Sequence, residues 1–163
     1  MKKYKNYIIL LNLVIVLFLF NKSVLHKEET LKNGKLVLLK LAPVDPRSLM
    51  QGDYMRLRYA IARNIPKDSI SSKRGYCIVE LDEKGIAQKK RFQNEVSPIT
   101  DDEYAIRYNA KKWGNLDIGA ESYFFQEGQS DKYEKAKYGG LMIDENGKSI
   151  LEGLYDKDLQ RIE

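Results

Sequence analysis

The stretch Tyr54-Met55-Arg56-Leu57-Arg58-Tyr59-Ala60-Ile61 alternates with a period of two. Met55, Leu57, Tyr59 and Ile61 fall on one face of an extended chain, with Arg56 and Arg58 on the other. A helix would separate Met55 from Leu57, so the reading is a half-buried strand. The same pattern recurs on both sides of it. Residues 36–41 read as a strongly buried strand. Residues 76–81 and 86–92 flank Asp82-Glu83-Lys84-Gly85, a hairpin connection ending in glycine. Tyr104, Ile106 and Tyr108 alternate with Ala105 and Arg107 across 103–109, and 121–126 is an aromatic-rich strand. A second hairpin signal, Asp144-Glu145-Asn146-Gly147, joins 141–143 to 150–155. The one helical candidate in this part is 131–138, where Asp131 and Glu134 suit a capping box and Gly139 suits the stop. The expected fold is mainly β: a barrel-like or sandwich domain of about seven or eight strands with one short helix.

A different segment precedes it. Residues 8–20, IILLNLVIVLFLF, are apolar except for Asn12, and Lys2, Lys3 and Lys5 come before them. Counted from 7 to 25, with Lys22 snorkelling, the segment has enough length to span a bilayer as a helix. Tyr4 and Tyr7 sit where interfacial aromatics concentrate. Asn21-Lys22-Ser23-Val24-Leu25-His26 offers no pair of small residues for a signal-cleaving enzyme and no cysteine for lipidation. Residues 1–27 therefore read as an uncleaved anchor in contact with lipid through 7–25. The polar 28–33 reads as a spacer, and 28–163 as one domain on the extracytoplasmic side, with the N-terminus in the cytoplasm.

Charge placement excludes one function class. The net charge is +5, and residues 1–27 hold five lysines and no acid. The rest carries 23 basic against 23 acidic residues, so the domain has no general field to gather phosphates. No nucleic-acid partner is expected.

The inventory is equally restrictive for chemistry. His26 is the single histidine, beside the membrane, where an interfacial role is the plain reading. Ser-His-Asp catalysis and histidine-rich metal sites thus lack parts. Asp101-Asp102-Glu103 reads as a solvated turn, and Asp144-Glu145-Asn146-Gly147 lacks the spacing of a calcium loop. No metal, cofactor or small-molecule ligand is expected. Cys77, the one cysteine, shares a face with Val79 and Leu81 and reads as a small buried hydrophobe. The loop 45–53 stands out, because Asp45 and Asp53 bracket Arg47, Ser48 and Gly52 between two strong strands. Asp45 can cap an Asx-type turn, Gly52 can take a positive φ, and Arg47 can pair with a carboxylate. The structural reading comes first, and the same loop could also present a docking surface.

Gly52-Asp53-Tyr54-Met55-Arg56-Leu57-Arg58-Tyr59 fits the pattern of the GDYXXLXY family of bacterial membrane-anchored proteins, and the chain resembles that family over 36–156. Asp45 and Arg47 precede the motif as in the family. A second block, Phe125-Gln126-Glu127-Gly128 with Tyr133, Tyr138 and Gly139, matches as well; Gly140-Leu141-Met142 departs mildly, a charged residue being more usual there. The resemblance implies one anchor, a compact domain, no established reaction, and a polytopic membrane protein as partner. A fainter likeness, of Leu49-Met50-Gln51-Gly52-Asp53 to the first catalytic block of type I signal peptidases, implies an alternative envelope hydrolase with a Ser/Lys dyad. Where those enzymes place the serine this chain has Val44 and Asp45, and Ser48 is out of register. No catalytic residue is assigned.

Overall fold

A computed structural model describes residues 4–42, 50–51, 54–66, 69–70, 72–111 and 115–163. Helix α1, Lys5–Asn33, comes first. Among the described residues ten strands follow: β1 (Lys35–Lys40), β2 (Met50–Gln51), β3 (Tyr54–Arg56), β4 (Arg74–Leu81), β5 (Ala87–Gln93), β6 (Glu103–Ala110), β7 (Leu116–Asp117), β8 (Ser122–Phe124), β9 (Tyr138–Ile143) and β10 (Ser149–Tyr155). A one-turn helix α2, Ser130–Tyr133, lies between β8 and β9.

The strands form three antiparallel sheets, ordered β1-β9-β10, β2-β3-β8 and β5-β4-β6-β7. The sheets share one apolar core that includes Val37, Leu39, Leu57, Val79, Ile106 and Leu141, all essentially inaccessible to solvent. They meet at isolated points. Leu38 bridges Ile86, Leu41 bridges Tyr59, and the Arg107 N–H donates to the Gly147 carbonyl at 2.7 Å. The mainly-β expectation holds, but the sheets do not close into a barrel. β4 carries three buried residues in succession, Cys77, Ile78 and Val79, because it lies between β5 and β6 and is covered on both faces. Burial pushes the Cys77 thiol up to about 12, with Lys89 opposing, so it is an inert packing group, as the alternation suggested.

The hairpin signals use one device. Asp82 Oδ1 accepts from the N–H groups of Lys84 and Ile86, both at 2.9 Å, and Gly85 takes φ +77°. Asp144 Oδ1 accepts from Asn146 and Lys148 at 2.9 and 2.8 Å, with Gly147 at φ +73°. A third copy follows β10. Asp156 Oδ1 accepts from Asp158 and Gln160, both at 2.9 Å, and Leu159 sits at φ +61° where the others have glycine. With leucine at that position the turn carries no sequence signature.

Four local expectations need correction. The polar stretch 28–33 is not a spacer but the last turns of α1. The 54–61 strand ends at Arg56; only Tyr59 regains a bridge before the 3₁₀ turn Ala60–Ala62. The helix expected over 131–138 is one turn, capped by Gln129 without a side-chain bond, so no capping box forms. Gly139 stops no helix, because it lies inside β9.

Candidate functional site

The first signature block is a strand end seated on the second. β3 pairs with β8, placing Met55 opposite Tyr123 and Arg56 opposite Ser122. Beyond β3 the pairing continues as single contacts. The Leu57 N–H donates to the Glu121 carbonyl at 2.8 Å, and the Tyr59 hydroxyl donates to the Ala120 carbonyl at 2.6 Å. Leu57 and Tyr59 are each 1 % exposed. Tyr59 also explains Gly139: a Cβ there would stand 2.9 Å from ring carbon Cε1 of Tyr59, so the glycine leaves room for the ring against β9. Burial, with the Glu121 charge beside it, raises the Tyr59 phenol and keeps it a donor.

The second block packs around Tyr133. Its ring meets Tyr123 at 5.0 Å between centroids and Phe125 at 5.2 Å, and it is buried. Gln126, Glu127 and Gly128 form an exposed turn with Gly128 at φ +81°. Tyr138 is half-buried opposite Lys40 and Tyr155 in β9. The structure therefore sets Tyr59 against Gly139 and Phe125 against Tyr133, with Leu57, Tyr59 and Tyr133 in the one core. Asp45, Arg47, Ser48, Gly52 and Asp53 lie outside the described residues, as does the side chain of Tyr54.

Two features escaped the sequence reading. One is a carboxyl pair wrapped around Gly119. Asp117 Oδ1 and Glu121 Oε2 each accept from the Gly119 N–H at 3.1 Å, and Glu121 Oε1 accepts from Ile118 N–H at 2.5 Å. Partial burial and the adjacent Asp117 push the Glu121 carboxyl up to about 7. The bond from Glu121, with Lys111 Nζ 2.5 Å away, holds Asp117 down at about 2. The pair shares one proton. Glu121 has its pKa raised in the fold, so its contribution is complete below about 4.5 and fades as pH rises through about 7. Asp117 has its pKa lowered, so its contribution fades as pH falls from about 3.8 through about 2. The melting temperature should therefore fall between pH 4.5 and 7, and Glu121→Gln should flatten that decline. A decline of unchanged slope in the variant would contradict the assignment.

The other is the junction of α1 with the domain. The last turns of α1 pack against β9 and β10, and Thr30 is buried with its hydroxyl donating to the His26 carbonyl at 3.0 Å. His26 Nε2 stands 3.3 Å from Asp144 Oδ2, whose side chain is 12 % exposed. That oxygen is buried and accepts no hydrogen bond, and His26 Nε2 also stands 3.5 Å from Lys148 Nζ. The histidine read as interfacial thus stands between α1 and the β9–β10 hairpin. A clue lay in the sequence, since His26 precedes Thr30 by one helical turn. Asp82 and Asp144 cap equivalent hairpins, so comparing them isolates the contact. Asp82→Ala should cost about 1 kcal/mol and Asp144→Ala about 2 kcal/mol by thermal melting. In a His26→Ala background the excess should disappear.

This junction opens onto a cleft of about 610 Å³ between α1, β6 and the β9–β10 hairpin, lined by Glu29, Asp101, Glu103, Asp144 and Glu145 among others. Its acids are already engaged in part. The Arg91 guanidinium and the Thr100 N–H hold the Glu103 carboxyl down at about 2. Among the described residues no His/Cys/Asp/Glu cluster has the makings of a metal site.

A sequence model described as GDYXXLXY protein matches residues 16–154, which takes in the second half of the apolar helix as well as both signature blocks. The chain belongs to the GDYXXLXY family. In this member the signature residues Leu57, Tyr59 and Gly139 are an internal fastening between two sheets. No curated protein and no solved structure matches the chain, so the likeness to type I signal peptidases gains no support from them.

Proposed function

We propose that this GDYXXLXY protein is a membrane-anchored interaction domain that works beside a polytopic membrane protein, with residues 1–27 as anchor and the β domain on the extracytoplasmic side. The observation that carries this reading is the helix itself. α1 is long and apolar enough to cross a membrane, exposes apolar side chains from Ile8 to Phe20, and runs without a break into the domain. Its 29 residues extend about 43 Å, so roughly 13 Å remains beyond a hydrocarbon layer of about 30 Å, the length that packs on β9 and β10. A domain fixed this closely to its anchor can reach little except lipid and membrane neighbours. The lysines before the apolar run, and the absence of any acid there, favour a cytoplasmic N-terminus.

Purification of the full chain from its native membranes in mild detergent is the test. A polytopic membrane protein should accompany it in fixed proportion and stay through a salt wash. A chain that elutes alone would overturn the partner reading.

A further inference from the structure

A second cleft, of about 370 Å³, opens on the other flank of α1. Lys27 from the helix, Arg107 from β6 and Lys148 from the β9–β10 loop line it together with His26, and no carboxylate lines it. Among the described residues Lys27, Arg107 and Lys148 form no ion pair. Lys148 Nζ stands 3.5 Å from His26 Nε2, which is 3.3 Å from Asp144 Oδ2, and the Asp117–Glu121 pair is held behind Gly119 on the wall with Lys111 as its counter-charge. Three cations without an ion pair in one concave site repel one another, an arrangement that an anion relieves. The two clefts flanking the helix thus differ in sign, acidic on one side and basic on the other.

Height selects the source of that anion. Ser23 and Lys27, both on the cleft wall, bracket Leu25, where the apolar segment ends. Four helical residues rise about 6 Å, and the headgroup layer is about 5–7 Å deep on each side of the hydrocarbon. The mouth of the cleft therefore lies level with lipid phosphates. Ile118 and Ile150 add an apolar wall suited to the glycerol end of a lipid, and Arg107 supplies the planar fork that binds phosphate oxygens in pairs. We propose that this cleft holds the phosphate of an anionic membrane lipid, which would set the rotation and depth of the domain on the bilayer. The inference rests on residues 7–25 being a membrane span.

The full chain in neutral detergent, titrated with phosphatidylglycerol or phosphatidylcholine and weighed by native mass spectrometry, tests it. One phosphatidylglycerol should be retained with a preference of at least about tenfold. The double variant Arg107→Gln/Lys148→Gln should lose that preference at an unchanged melting temperature. Lys84→Gln/Lys135→Gln, which removes the same charge from exposed sites outside both clefts, should keep it. Inorganic phosphate at millimolar concentration should not displace the lipid. Equal retention of the two lipids, a preference that survives the double variant, or displacement by phosphate alone would overturn the proposal. An alkaline wash that strips the chain from native membranes would instead overturn the span, leaving a different failure on record.

Discussion

Tyr59→Ala is expected to cost the domain about 4 kcal/mol, the range for removing a fully buried aromatic side chain. Three contacts end together. The ring is 1 % exposed, its hydroxyl bonds the Ala120 carbonyl at 2.6 Å, and its edge fills the space that Gly139 leaves open. Tyr59→Phe removes only the hydroxyl and strands a buried carbonyl, so it should cost about 1–2 kcal/mol. Gly139→Ala should also destabilise, by about 2 kcal/mol, because the ring is anchored and cannot swing away from the new Cβ. In a Tyr59→Ala background that penalty should vanish, since nothing then occupies the space. Melting of the four proteins in one detergent completes the cycle, and additive losses would show that the residues do not touch.

Gly34→Ala is expected to cost about 3 kcal/mol for a different reason. Its φ of −66° and ψ of 164° suit any residue, so the backbone conformation is not the obstacle. The obstacle is what surrounds it. A Cβ would collide with the Thr30 carbonyl and would stand 3.0 Å from the Ile143 carbonyl oxygen and 3.3 Å from the Ile143 nitrogen. All three are main-chain atoms, which cannot rotate aside as a side chain can. The end of α1 must then move off β9, and the His26–Asp144 contact should go with it. The second signature is local: amide hydrogen exchange should rise in residues 26–33 while β4 and β6 keep their protection. Uniform loss of protection would mean that helix and domain unfold as one unit.

The sequence carried some of this architecture plainly and hid the rest for physical reasons. The Asp82 and Asp144 hairpins were legible because aspartate and glycine each have a fixed job in the turn. The Asp156 turn makes the same bonds with Leu159 in the left-handed position and so could not be found. The alternation from Tyr54 onward gave the right faces for Met55, Leu57 and Tyr59, all buried, while Arg56 and Arg58 are exposed. It did not show that the strand breaks after Arg56, because the apolar face continues into a 3₁₀ turn that keeps Ala62 buried. The polar run 28–33 suggested a spacer, yet the end of α1 beside the β domain keeps polar residues on its free side and buries Thr30 on the other. Gly139 looked like a helix stop because its partner, Tyr59, lies eighty residues earlier in the chain. Glu121 and Asp117 are only four residues apart; what hid them is the turn at Gly119, φ +83°, which brings both carboxyls onto one N–H.

Everything proposed for the β domain depends on whether α1 spans a membrane with that domain outside the cytoplasm. A fusion carrying a C-terminal enzyme that works only outside the cytoplasm, expressed with the native N-terminus, measures this in one experiment. The reporter should be active, and the mature protein in the membrane fraction should keep the segment from Met1 through Phe20. An inactive reporter, or a soluble form beginning near residue 24, would contradict the account.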